Sequence, residues 1–175
     1  MIREFKNKFP NIHPTVYVDD SAVIIGDVIV GKDSSLWPMT VVRGDVQAIK
    51  IGKCTNIQDA CVLHATHDGE FSPGGEPLLV GDSVTVGHRT TLHACTVGNL
   101  CLIGMSATIM DGAVLEDKII IGAGSLVPAG KQLESGYLYV GSPVKKIRPI
   151  NQKEMAFLKY SAEHYVRLKE LHKNS

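Results

Sequence analysis

The sequence predicts an all-β solenoid, a parallel β-helix of hexapeptides with one C-terminal α-helix packed along its outside. Three observations predict it. Aliphatic residues return on a six-residue beat from Ile25 to Val127, glycine follows about half of them, and the beat then gives way to helical spacing.

The beat runs through Ile25, Val30, Leu36, Val42, Ile51, Ile57, Leu63, Val80, Val86, Leu92, Val97, Ile103, Ile109, Leu115, Ile121 and Val127. Six is too long a step for one helical face and too regular for loops. It suits a short strand plus a corner. Three such units make a triangular coil, so residues about 18 apart stack one rung above another, roughly 4.8 Å away. No coil buries its inner face alone; the stacked aliphatics form the core together. The glycine after a beat residue, as in Ile51-Gly52 or Ile103-Gly104, suits a crowded or positive-φ corner. The residue two before each beat is small: Ser34, Thr40, Thr55, Cys61, Thr90, Cys95, Cys101, Ala107, Ala113 and Ser125. Three of the four cysteines fall in this class and read as inward packing residues. No Cys-x-x-Cys occurs, which agrees with reduced, non-ligating thiols.

The chain reads as one domain. The β-helix is expected over residues 12–130, with two interruptions. "GDVQAIKIG" adds three residues, and "HATHDGEFSPGGEPLLVG" adds eleven as a protruding loop near 65–77. Residues 131–150, containing "SGYLYVGSPVKKIRPI", form a turn-rich connector. A helix follows over 151–172, with Met155, Leu158, Ala162, Tyr165, Leu168 and Leu171 on one face and Asn151 as N-cap.

Composition narrows the function. Aromatics are 6% against 44% hydrophobic residues, so the core is aliphatic. Eighteen basic residues balance eighteen acidic ones, which removes the general electrostatic case for nucleic acid or an anionic membrane. "MIREFKNKFP" lacks the apolar run of a signal peptide, and no stretch is long enough to span a bilayer. A soluble, cytoplasmic protein is expected.

If each insertion replaces one ordinary corner, Val42, Leu63 and Leu92 share a face. Arg43, His64 and His93, the next residues, then form one column. Asp59 and His88 stack in the same way, each two residues after a beat residue of the preceding face. Neighbouring extended positions point in opposite directions, so His88 projects away from the His64/His93 pair. Within one chain the three do not converge easily; around a threefold axis His88 reaches the pair of the next subunit. A metal site and a homotrimer are therefore a single expectation. Three neutral imidazoles suit Zn²⁺ and leave a fourth position for water. Fe²⁺ and Co²⁺ fit the same donors. His13, His164 and His172 hold no beat position and read as structural or exposed.

The segments "VVRGDVQAIKIGKCTNIQDACVLHATH", "VTVGHRTTLHACTVGN" and "LVPAGKQLESGYLYVGSPVKKIR" resemble the γ-class carbonic anhydrase family, most of all its compact bacterial subgroup. The likeness covers the chain from about residue 12 to the C-terminal helix. It implies a left-handed β-helix, a homotrimer and reversible hydration of CO₂ to bicarbonate. It implies metal held by His64 and His93 of one subunit and His88 of another. It also implies that Gln58 positions water or CO₂, that Asn56 lies nearby, and that Arg43, Asp45 and Asp59 form an ion-pair network across the interface. Such a network fixes register more than it adds stability. Tyr160 matches a position from which the subgroup often brings a tyrosine toward the metal. In the family's prototype a glutamate follows Arg-Gly-Asp and another sits in a long acidic loop as proton shuttle. Here Val46 takes the first place and the loop is short, so His67, Glu70 and Glu76 are the available substitutes.

Two other readings stay open. An acyl-CoA-dependent hexapeptide acyltransferase shares the beat and the "GSPVKKIR" ending. A trimeric metal-binding scaffold with weak turnover fits the missing glutamates.

Overall fold

The computed structural model describes residues 1–174. It is a left-handed parallel β-solenoid of about eight turns with one C-terminal helix. Three columns of inward residues build the core. The first face stacks Ile24, Val42, Leu63, Leu92, Ile109 and Val127. The second stacks Ile12, Val30, Ile51, Val80, Val97, Leu115 and Leu133. The third stacks Val18, Leu36, Ile57, Val86, Ile103, Ile121 and Tyr139. Nearly all of these are buried.

Register corrects the beat at both ends. Ile24, not Ile25, lies opposite Val42; Ile25 lies opposite Arg43. Adjacent isoleucines hid this from the sequence, and with Ile24 the first steps become regular sixes. At the other end the beat does not stop near 130. Leu133 and Tyr139 continue it, each six residues on. The chain then reverses into the one antiparallel pair among the described strands, Tyr137–Gly141 with Val144–Pro149. The connector is therefore the last coil of the solenoid.

Corner chemistry separates two roles that the sequence left joined. Glycines after beat residues answer crowding. A Cβ on Gly52 or Gly104 would come to 2.5 Å from backbone atoms of the next coil, and neither residue has a left-handed φ. The left-handed residue of each corner is mostly not glycine. Asp33, Cys54, Ser83, Leu100 and Lys118 form one such column, and Met39, Ala60, Arg89 and Ser106 another. The small residues two before each beat are all buried. Burial pushes the thiols of Cys61, Cys95 and Cys101 up to about 12. They are therefore packing groups, not thiolate ligands.

All departures from six residues between stacked core positions fall at one edge, where the chain passes from the first face to the second. The intervals are nine after Val42, seventeen after Leu63 and five after Leu92. The other two edges keep their spacing.

The C-terminal helix, Gln152–Lys173, starts as expected at Asn151, which forms a capping box with Glu154. It packs across the third face. Trp37, Tyr165 and His172 make edge-on ring contacts there, and Ser161 Oγ lies 3.0 Å from Thr85 Oγ1. The buried face differs from the expected one at its end: Leu171 is exposed, and Lys169 is fully buried against Asp33 and Glu170. Among the described residues no helix is long and apolar enough to cross a membrane.

Candidate metal centre

The edge after the first face carries the histidine pair. Arg43, His64 and His93 are successive register partners, so the assumed corner replacement holds. His64 Nδ1 lies 3.1 Å from His93 Nε2. Each outer nitrogen is held by a carboxylate: His64 Nε2 by Asp45 Oδ1 at 3.0 Å, His93 Nδ1 by Asp111 Oδ1 at 2.7 Å. Arg43 donates to the other oxygen of Asp45 at 2.6 Å, and the Thr66 hydroxyl donates to the other oxygen of Asp111.

These partners set the protonation. Burial raises both carboxyls, but hydrogen bonds from Arg43 and His64 (for Asp45) and from Thr66 and His93 (for Asp111) outweigh it. Both are held below the usual range. Ionised carboxylates accept only, so each imidazole carries its proton on the outer nitrogen. Burial, and then the charge of Arg43, lowers the pKa of His64 and favours its neutral form. With both rings neutral, the inner nitrogens face each other as two lone pairs. That arrangement is repulsive until a cation lies between them. Their 3.1 Å separation is also close to the edge of about 3.3 Å of a tetrahedral site with bonds near 2.0 Å. The donors fit a metal ion.

His88 sits on the preceding edge of the prism, before the first-face strand Thr91–His93. Asp59 Oδ2 holds its Nδ1 at 2.8 Å. Within one chain His88 does not join the pair, and among the described residues no three His, Cys, Asp or Glu side chains form a metal-binding set. The ion pairs divide likewise: Arg43 with Asp45 on one edge, Asp59 with His88 on the other.

Gln58 and His88 line a cavity of about 400 Å³, walled by Met105 and by Phe157, Ser161 and Tyr165 of the helix. Gln58 is anchored from behind. Its Nε2 donates to Asn56 Oδ1 at 3.0 Å, and the buried Asn56 amide donates to Thr85 Oγ1 at 3.0 Å. Asn56 is therefore a positioning residue for Gln58, joined through Thr85 to Ser161. Tyr160 is more than half exposed, stacks on His164, and does not line this cavity. Tyr165 does; burial and the charge of Asp59 raise its pKa. His67 is exposed on the loop and makes no hydrogen bond to the pair among the described residues. Sequence reasoning missed Asp111. The signal was present: it lies one coil, eighteen residues, after His93.

A comparison with protein-family models gives no match. Among curated relatives, Protein YrdA of Escherichia coli is 52% identical over 97% of this chain and 92% of its own length. Gamma carbonic anhydrase 2, a mitochondrial protein of Arabidopsis thaliana, is 40% identical over 95% of this chain and 59% of its own length. The chain belongs to the hexapeptide-repeat transferase/γ-carbonic anhydrase superfamily. A solved structure of a hexapeptide transferase family protein from Anaplasma phagocytophilum superimposes with a TM-score of 0.87 at 40% identity, covering 95% of each chain.

Proposed function

We propose that this chain forms a γ-carbonic anhydrase-type homotrimer that reversibly hydrates CO₂ at metal sites shared between subunits. The observation that carries the reading is the His64/His93 pair, whose inner lone pairs face each other at 3.1 Å while Asp45 and Asp111 fix the outer nitrogens. His88 supplies the third donor from the neighbouring subunit. Its edge and the edge of the pair flank the same face of the prism, so three prisms turning that face to a common axis bring each His88 to another subunit's pair. Outward Val62 and the flanking Met39, Met105 and Met110 are exposed, which suits an interface there. Arg43 of one subunit then approaches Asp59 of the next.

His64, His93 and His88 would hold Zn²⁺, with Fe²⁺ and Co²⁺ as alternatives. When bound, such an ion lowers the pKa of water to about 7 and so supplies a nucleophile at neutral pH. The protein does the rest. Asp45, Asp111 and Asp59 fix the three imidazoles. Gln58, with Nε2 committed to Asn56, keeps Oε1 as the acceptor that orients the attacking water toward CO₂. The apolar cavity wall suits a small apolar substrate. The proton would leave through the loop that follows His64, where His67, Glu70 and Glu76 are the groups able to take it.

Metal analysis of the purified protein, CO₂ hydration and the His88→Ala variant test this together. Full metal content in that variant defeats the shared site. A second reading, acyl transfer from CoA, is favoured by the size of the cavity beside His88 and by the transferase description of the solved relative. Turnover of acyl-CoA that survives chelators selects it. Bound metal with negligible CO₂ hydration selects a scaffold.

A further inference from the structure

We infer that the 65–77 loop of each subunit closes over the cavity beside His88 of the next, seating Phe71 against Phe157 of the neighbour's C-terminal helix. The inference rests on the shared-site reading above.

Phe71 is 96% exposed, the most exposed large apolar side chain among the described residues. Its loop is nevertheless held in shape. Thr66 and Glu76 exchange backbone hydrogen bonds at 3.0 and 2.9 Å, Gly69 and Ser72 do so at 3.2 and 3.1 Å, and Asp68 Oδ1 accepts from the Gly74 N–H at 2.7 Å. A fixed loop that holds a phenyl ring away from its own subunit presents a large apolar surface to something else.

Direction and height identify the occupant. The loop begins directly after His64, so it leaves the edge that meets the neighbour's His88. The cavity borders that same His88. Gln47 Nε2 ties the loop to the coil of Val42 by donating to Gly74 O at 3.1 Å, and Thr66 ties it to Asp111, in the coil of Ile109. The cavity spans the coils from Gln58 to Ala123. Subunits around a threefold axis share one height, so loop and cavity overlap. The cavity's exposed wall is half-exposed Phe157 and half-exposed Met105, partners suited to an aromatic ring.

The test uses the full chain with a photoreactive phenylalanine analogue at position 71, irradiated after its assembly state has been measured. Position 71 makes no core contact, so the substitution leaves the fold alone. The expected product is an adduct between two chains, mapped to the helix around residues 157–165 and lost in Phe157→Ala. A trimer with no interchain adduct, an adduct elsewhere, or one undiminished by Phe157→Ala overturns the inference while leaving the shared site standing. A monomer overturns both. As a second measurement, Phe71→Ala and Phe157→Ala should show non-additive effects on trimer dissociation. Strict additivity overturns the contact.

Discussion

The two histidine-bearing edges are built differently. On one, His64 and His93 occupy successive rungs, touch each other, and each has its own carboxylate; the His64 side chain is only 17% exposed. On the other, His88 has one carboxylate, is 43% exposed, and borders an apolar cavity. The first edge is preorganised by its own coils. The second is an oriented donor that joins no metal-binding set within its own chain among the described residues, and the proposed trimer would give it a partner. Under the proposed trimer, a site divided this way would keep its rigid, charge-bearing part within one fold and make completion depend on assembly.

The sharpest way to break this contrast is to remove one half at a time. His93→Ala and His88→Ala should each lose nearly all metal and activity, measured by metal analysis and CO₂ hydration. Mixed trimers refolded from the two variants should regain sites where an intact pair meets an intact His88. No recovery in verified mixed trimers would place all three donors within one subunit. Next come the carboxylates. Asp111→Ala and Asp59→Ala should each weaken metal affinity by about 10- to 100-fold, read by competition with a chelator.

Smaller effects are expected behind Gln58. Asn56→Ala should destabilise the fold by about 1–3 kcal/mol in denaturant unfolding, because buried partners lose their hydrogen bonds. Gln58→Ala should lower kcat about tenfold, the equivalent of one hydrogen bond, with metal content unchanged. The smallest effect lies away from both edges. Arg148, and then the Asn151 N–H, pull the Glu154 carboxyl from 4.5 down to about 2. A folded value below the ordinary one means a contribution that is full above about pH 4.5 and lost as pH falls through 2. Glu154→Gln should therefore lower Tm slightly at neutral pH, with the gap closing in acid and metal affinity untouched.

Much of this was legible in the sequence because a solenoid converts spacing directly into position. Once the six-residue beat was found, Arg43, His64 and His93 fell into one column without any structure. Legibility failed where spacing was ambiguous or side chains departed from type. Ile24 and Ile25 are equally apolar, so only register separates them. Tyr139 closes the third face inside the stretch read as a connector, because an aromatic ring does not register on an aliphatic beat. Lys169 is buried because Asp33 lies beneath it, a contact that helical periodicity does not encode. Asp111 was readable one coil above His93, but carboxylates at corners usually face water and drew no attention.

The confinement of every irregular interval to one edge of the prism has a consequence for how such a protein changes. Residues can be added or removed there without re-indexing any stacked core position, because the flanking strands return to register on the next coil. The histidine pair and the length variation share that edge, while the other two keep a fixed spacing. New activities can therefore arise by loop exchange on an unchanged core.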